Sequence, residues 1–211
     1  MQASINNPHF LLRRLHSLLG LLPVGLFLLF HLWENSQSRF GAEHYNEQVV
    51  GWLQGLNYLT ILEIVVIFMP LLFHAGYGLI VLRGGSDSDW RRFPWLHHRL
   101  YLLQRISGVG ILLFLLFHVG WTRVWGLFEP TVKADLYGHM QGLLSQLPIF
   151  LLYLAGLLFS TFHLSNGLWT IGISWGLTTS EAAQRYWFVL CSLLFFLLSA
   201  MGLHGMLGFV L

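Results

Sequence analysis

Residues 58–82 read YLTILEIVVIFMPLLFHAGYGLIVL, and this stretch indicates the fold class of the chain. It contains a single charged residue, Glu63, in an otherwise apolar run that also holds His74. About 20 helical residues, each rising about 1.5 Å, are needed to cross the hydrocarbon core of a membrane. The stretch is therefore long enough to form a membrane-spanning helix.

Four further stretches have the same apolar character, so the sequence predicts five spans. The predicted spans are residues 13–34, 58–82, 100–122, 147–171 and 186–211. The polar segments between them contain turn and cap residues and are predicted to be loops. We therefore predict an all-α integral membrane bundle of five helices, in which residues 1–211 form a single domain.

The composition excludes several classes of protein. Hydrophobic residues make up 55% of the chain and charged residues only 9%, against roughly 25% charged residues in an ordinary soluble domain. The single cysteine, Cys191, excludes an internal disulfide, a four-cysteine iron–sulfur site and covalent attachment of a c-type haem. The N-terminus resembles a signal peptide, but its apolar run is long and lacks a cleavage site, so we expect a retained first span.

The basic residues predict the orientation of the bundle, because they concentrate on the cytoplasmic side of membrane proteins. Eight lie on the predicted side of the N-terminus: Arg13, Arg14, Arg83, Arg91, Arg92, Arg99, Arg105 and Arg185. Three lie on the opposite side: Arg39, Arg123 and Lys133. We therefore expect a cytoplasmic N-terminus and a C-terminus outside.

Each of the first four spans contains a histidine that directly follows a phenylalanine. These residues are His31, His74, His118 and His163, with spacings of 43, 44 and 45 residues. A strongly polar side chain inside a membrane is costly and is a candidate functional residue by default. The sequence thus places one such candidate in each of four successive helices.

The depth of these histidines predicts how they pair. His31 follows Arg13 by 18 residues, or about 27 Å of helical rise, and so lies near the outer face. The second span runs the opposite way, so His74 lies near the inner face, and the same count places His118 outside and His163 inside. Two imidazoles at equal depth can bind opposite faces of one haem iron, leaving no open position for oxygen. We predict an outer haem between His31 and His118, and an inner haem between His74 and His163.

Histidines and glycines within membrane spans also have roles that require no haem. A lone histidine could form a hydrogen bond between helices, whereas copper or zinc would need its ligands clustered in one place. Gly78 and Gly167, each four residues after a histidine, would leave room for a flat ligand or simply allow close helix packing. A transporter or channel, in which histidines relay protons or bind a metal substrate, is the alternative of a different class.

Four short segments carry a family resemblance. They are residues 13–20 (RRLHSLLG), 70–75 (PLLFHA), 104–108 (QRISG) and 162–169 (FHLSNGLW). Together with the four histidines they resemble the di-haem cytochrome b558 membrane anchors of bacterial succinate dehydrogenases, the single-subunit type related to the anchors of menaquinol-dependent fumarate reductases. The resemblance extends over nearly the whole chain.

The resemblance implies a subunit of the bacterial cytoplasmic membrane that binds a flavoprotein subunit and an iron–sulfur subunit on its cytoplasmic side. It implies that His31, His74, His118 and His163 are the axial ligands of two haem b groups. Electrons would pass from succinate through flavin, iron–sulfur clusters, inner haem and outer haem to a membrane quinone, usually menaquinone. The chain has no G-x-G-x-x-G motif and no soluble domain for flavin, so the dicarboxylate chemistry would belong to its partners. An anchor of a quinol:fumarate reductase, or of another membrane oxidoreductase, is the alternative within this class. Membrane lipid is an expected contact, and nothing suggests a nucleic acid.

Residues around the inner haem are predicted from their position at the inner helix ends. Basic groups there could pair with haem propionates, or could serve only orientation and lipid contact: Arg13, Arg14, His16, Arg99 and Arg105. His16, Arg105 and Ser107 also lie in the segments that resemble the family. His97 and His98 are predicted loop residues that face either the iron–sulfur partner or water.

Glu63 is predicted to be the only carboxylate within a span, about 8 Å below the outer end of its helix. It is a candidate for exchanging protons with a quinone, the alternative being a hydrogen bond to a neighbouring helix. His204, near the outer end of the last span, is a second candidate for contact with the quinone. Some related fumarate reductase anchors have a glutamate two residues before the fourth haem histidine as part of a proton path. This chain has Thr161 there, which argues against that path.

Overall fold

The computed structural model of the protein describes residues 8–84 and 96–211. Within these ranges the backbone is helical apart from short turns, and it contains no strand. Five helices in the described part of the chain are long and apolar enough to span a membrane, which confirms the predicted fold class. We number them in chain order: α1 (His9–Phe40), α2 (Leu59–Arg83), α3 (His98–Phe128), α4 (Leu147–Ser174) and α5 (Glu181–Val210).

The helices extend beyond the apolar spans that predicted them. Helix α1 continues from the predicted boundary at residue 34 to Phe40, and the helix that contains α3 begins at Leu96. His97 and His98 therefore lie in a helix, and their prediction as loop residues was wrong. Hydropathy marks only the part of a helix that meets hydrocarbon, whereas the backbone hydrogen bonds persist into the interface.

The two connections on the side opposite to the N-terminus are also helical. Between α1 and α2 lie the short helices Ala42–His44, Tyr45–Val50 and Gly51–Gln54, and between α3 and α4 lie Pro130–Ala134 and Leu136–Leu144. The prediction that these segments are loops was therefore wrong. We call this side of the bundle the far side, and the side where α1 begins the N-terminal side.

Helix α1 is interrupted at Leu22, between Pro8–Leu21 and Pro23–Ser36. Proline has no amide hydrogen, and its ring clashes with the carbonyl four residues earlier. The half of α1 before this interruption packs on α2, and the half after it packs on α5. Helix α1 therefore reaches two different neighbours at its two ends.

Small residues bring the central helices close together. A Cβ on Gly156 of α4 would lie 2.5 Å from the Phe114 ring of α3, and one on Gly202 of α5 would clash with Leu157 of α4. Small residues allow this close approach in membrane bundles, where no hydrophobic force drives helices together. Helix α4 consequently packs between α3 and α5.

Side-chain hydrogen bonds join the two far-side connections. The Asp135 carboxylate accepts hydrogen bonds from the Gly138 amide at 2.8 Å and the Asn46 side chain at 2.7 Å. The first bond caps the helix Leu136–Leu144, and the second reaches the segment between α1 and α2. These bonds, the Gly138 bond first, lower the pKa of Asp135 below its ordinary value.

We expect Asp135→Ala to destabilise the protein by about 1 kcal/mol, the usual loss when an N-cap acid is removed. Thermal unfolding in detergent would measure it, with Glu47→Ala as the control because Glu47 occupies no N-cap position. Since the folded-state pKa of Asp135 is lowered, its contribution should be present above pH 3.8 and lost below it. Equal melting temperatures for the wild type and Asp135→Ala would contradict the capping role.

Candidate functional site

The structure brings the four span histidines together in two pairs. On the far side, the rings of His31 in α1 and His118 in α3 have centroids 5.8 Å apart and planes at 71°. On the N-terminal side, the rings of His74 in α2 and His163 in α4 have centroids 6.1 Å apart and planes at 90°. Each pair thus joins two helices, and the two pairs lie at opposite ends of the bundle.

The spacing within each pair fits two imidazoles bound to one metal. Metal–imidazole bonds of about 2 Å, one on each side, place the two ring centroids about 6 Å apart. In residues 8–84 and 96–211, no group of three or more histidine, cysteine, aspartate or glutamate side chains has an arrangement suited to a metal ion. The donor sets are therefore pairs of imidazoles, as a haem iron uses at its two axial positions.

Main-chain carbonyls orient both histidines of the N-terminal-side pair. The Nδ1 atom of His74 lies 2.8 Å from the His16 carbonyl oxygen, and that of His163 lies 3.1 Å from the Gln104 carbonyl oxygen. A carbonyl only accepts, so each Nδ1 carries the hydrogen and each Nε2 keeps its lone pair. This is the arrangement in which protein histidines bind metals.

Two glycines leave room for these rings. A Cβ on Gly20 of α1 would clash with the Cε1 atom of His74, and one on Gly108 of α3 would lie 3.1 Å from the Cε1 atom of His163. Sequence reasoning considered the glycines four residues after each histidine instead. Of those, Gly78 approaches His16 and Gly167 approaches Gln104. The relevant glycines are on facing helices, and a spacing rule along one helix could not find them.

His16 and Ser107 lie beside the N-terminal-side pair. The His16 ring stacks on the His74 ring, with centroids 4.1 Å apart and planes at 5°. The lone pair of an imidazole nitrogen lies in the plane of its ring. The planes of His16 and His74 are parallel and stacked, so the two lone pairs cannot point at one metal from opposite sides. The buried Ser107 hydroxyl lies 3.2 Å from Nδ1 of His163 and donates to the Gln104 carbonyl oxygen. Both residues therefore contact the paired histidines. The Nδ1 atom of His16 itself has no hydrogen-bond partner within the described chain.

Of the four arginines predicted near the inner haem, two contact other protein groups and two are exposed. Arg105 donates to the carbonyl oxygen of Leu82 and to the Tyr101 hydroxyl, and so ties α3 to the end of α2. Arg14 lies 5.0 Å from the centroid of the Trp175 ring in a cation–π contact. Arg13 is exposed and lines a cavity of about 480 Å³ at the N-terminal side, and Arg99 is exposed.

The far-side pair has side-chain neighbours. The Tyr153 hydroxyl lies 3.3 Å from Nδ1 of His118. The Asn35 amide donates to the carbonyl oxygen of His31 at 2.7 Å, and its nitrogen also lies 3.4 Å from both ring nitrogens of His31. Burial and the nearby Glu34 carboxylate raise the pKa of Tyr45, so its hydroxyl stays protonated and donates to Asn35 at 3.2 Å.

Glu34 is a site residue that sequence reasoning missed. It stands at the boundary where the predicted first span gives way to a polar connection, but α1 continues through it and its side chain is buried. Glu63 is therefore not the only carboxylate within a span, and that prediction was wrong. One Glu34 oxygen lies 4.0 Å from Nδ1 of His31, and the second oxygen has no hydrogen-bond partner in the described chain.

Glu63 forms an ion pair with Arg123 of α3. The carboxylate accepts from two guanidinium nitrogens at 2.6 and 3.2 Å. Both residues lie in π-helical segments, Glu63–Phe68 and Gly120–Val124, and such segments frequently occur at functional sites. His204 is exposed on α5. Thr161 is fully buried and forms a hydrogen bond with Ser199 at 2.8 Å.

Comparison with known proteins identifies relatives of this chain. Residues 90–208 match the family described as succinate dehydrogenase/fumarate reductase transmembrane subunit. The chain is 35% identical to the succinate dehydrogenase cytochrome b558 subunit of Bacillus subtilis (strain 168) over 204 residues, which cover 97% of this chain and 98% of that protein. No solved structure matches the chain.

We expect Gly20→Ala to displace the His74 imidazole, because its added Cβ would clash with that ring. If His74 binds a haem, absorbance spectra of the reduced, purified protein should then show haem loss or a shifted haem band. Gly76→Ala is the matched control, since a Cβ there meets nothing within 4 Å. Identical spectra for Gly20→Ala and Gly76→Ala would contradict the close approach of Gly20 to His74.

Proposed function

Because the chain belongs to the succinate dehydrogenase/fumarate reductase transmembrane subunit family, we propose that it carries electrons between an iron–sulfur subunit and a membrane quinone through two b-type haems. It is a multi-pass subunit of the bacterial cytoplasmic membrane and part of a succinate dehydrogenase. The dicarboxylate chemistry belongs to the flavoprotein subunit in this proposal. Each haem, when bound, supplies an iron that accepts and releases one electron.

The two histidine pairs at opposite ends of the bundle are the observation that carries this proposal. His74 and His163 would hold one haem iron, and His31 and His118 the second. Each pair would supply two imidazole ligands to its haem iron, which would leave no coordination site open to oxygen. The carbonyls of His16 and Gln104 hold the N-terminal-side imidazoles in their metal-binding tautomer.

We place the N-terminal side in the cytoplasm, where the iron–sulfur subunit would bind. Exposed basic side chains are concentrated at this end of the bundle: Arg13, Arg83, Arg99 and Arg185. This distribution agrees with the excess of basic residues in cytoplasmic segments. The far-side pair then lies towards the outer face of the membrane.

The far-side contact between α2 and α3 is our candidate for the quinone site, and menaquinone is the expected quinone. Glu63 and Arg123 form a charged pair there in two irregular helix segments. A carboxyl group that a guanidinium holds in place can exchange a proton with a quinone oxygen. His204 is exposed on the last helix and stays a weaker candidate.

Substitution of one histidine from each pair tests the haem assignment. We expect His74→Ala and His31→Ala each to reduce the haem content from two to one per chain, because each removes one axial ligand. Haem content and optical redox titration of the purified complex would measure this. His139→Ala is the control, since His139 bonds to the Trp121 carbonyl outside both pairs. Two haems retained in either ligand variant would refute the assignment.

Substitution of Glu63 tests the quinone site separately. We expect Glu63→Gln to slow quinone reduction by succinate about 100-fold, the lower range for a lost acid–base group. Haem content, and succinate oxidation with a soluble dye as acceptor, should stay unchanged. Glu43→Gln provides an exposed acidic control on the same side. Normal quinone reduction in Glu63→Gln would exclude Glu63 from the proton transfer and leave the haem assignment intact.

A further inference from the structure

The two histidine pairs differ in what binds their Nδ1 atoms. On the N-terminal side, both Nδ1 atoms lie within hydrogen-bond distance of main-chain carbonyl oxygens, those of His16 and Gln104, and Nδ1 of His163 also lies 3.2 Å from the Ser107 hydroxyl. On the far side, Nδ1 of His118 meets the side-chain hydroxyl of Tyr153 at 3.3 Å. A main-chain carbonyl is present whatever residue occupies the position, whereas a phenol hydroxyl depends on tyrosine.

We infer that Tyr153 is the positioning residue of the far-side haem, whose hydroxyl oxygen accepts the Nδ1 hydrogen of His118 and directs Nε2 to the iron. This inference rests on the proposed function, because it requires His118 to be a haem ligand. Once Nε2 binds iron, the hydrogen of the neutral ring resides on Nδ1. The phenol oxygen is then an acceptor, and its own hydrogen is free to rotate.

The surroundings of Tyr153 hold its hydroxyl in place. Its side chain is only 7% exposed, and its ring meets the rings of Phe114 and Phe117 edge to face, at centroid distances of 5.3 and 6.1 Å. Phe114 also stacks on the His118 ring at 5.4 Å and 18°. Phe114 in turn packs against Gly156, about one helical turn after Tyr153 in α4. The phenol and the imidazole are thus fixed by the same aromatic cluster.

The hydrogen bond has a definite effect on the proposed haem. An acceptor on Nδ1–H increases the basicity of the ligand nitrogen. A more basic nitrogen stabilises the ferric iron, which carries the greater positive charge, more than the ferrous iron. Loss of the Tyr153 hydroxyl should therefore raise the midpoint potential of the far-side haem. The N-terminal-side haem should not respond, because its ligands are bonded to the main chain.

The experiment is an optical redox titration of both haems in the purified complex carrying Tyr153→Phe. For one haem, we expect the ratio of the ligands' affinity for ferric iron to their affinity for ferrous iron to fall about tenfold. This is the lower range of the effect when a metal-binding histidine loses its hydrogen-bond partner. For a one-electron couple this raises the midpoint potential by about 59 mV. The haem that shifts should be the one lost in His118→Ala. The second haem should keep its wild-type potential.

Tyr137→Phe is the matched control, because the Tyr137 hydroxyl also lies on the far side but donates to the Gly208 carbonyl oxygen at 2.9 Å. If Tyr153→Phe does not accumulate, site-specific Tyr153→3,5-difluorotyrosine keeps the ring in place and weakens the acceptor oxygen. That variant should shift the same haem in the same direction, by less than about 59 mV.

The outcomes separate this inference from the proposed function. Unchanged potentials of both haems in Tyr153→Phe, or a shift of the N-terminal-side haem instead, would overturn the role of Tyr153. Loss of the far-side haem alone would support it as a stronger form of the same effect. A wild-type protein that purifies without haem would instead overturn the proposed function.

Discussion

An imidazole inside a membrane needs partners for both of its nitrogens, because the hydrocarbon offers no water to satisfy them. This bundle contains four such imidazoles, and its helices are arranged so that neighbouring helices provide partners for their nitrogens. Carbonyl oxygens of neighbouring helices accept a hydrogen bond from one nitrogen of His74 and from one nitrogen of His163. The two rings of this pair have centroids 6.1 Å apart, a spacing that fits a metal bound between them. The iron of a haem is the metal that we propose there, and the family to which the chain belongs supports this proposal.

Close helix contacts make those partners reachable. Gly20 lets α1 approach the His74 ring, and Gly108 lets α3 approach the His163 ring, so that each neighbouring main chain lies within hydrogen-bond distance. On the far side, the hydroxyl of Tyr153 lies beside Nδ1 of His118, where the N-terminal-side pair has a carbonyl oxygen. The Nδ1 atoms of His74 and His163 thus have main-chain carbonyl partners at one end of the molecule, and Nδ1 of His118 has a tyrosine hydroxyl partner at the other. This difference gives the two proposed haems unequal surroundings within one chain.

Much of the fold and part of the site could be predicted from the sequence. Apolar length marks a membrane helix, and regular spacing with helical rise puts His31 level with His118 and His74 level with His163. Contacts between helices could not be predicted in this way, because they depend on the rotation of each helix about its axis. The roles of Gly20 and Gly108 and the pairing of Glu63 with Arg123 belong to this class. Glu34 was missed because hydropathy falls at the interface while the helix continues.

Helix α3 contributes to both ends of the molecule, since Gly108 lies beside one histidine pair and His118 belongs to the second. The interval between these two residues is set by helical rise, about 15 Å for ten residues. The separation of the two sites is therefore independent of the connections at either face, which can change in length during evolution. A one-residue insertion between Gly108 and His118 is different, because it would turn His118 by about 100° away from His31. We expect natural variation in length among related chains to concentrate outside this segment.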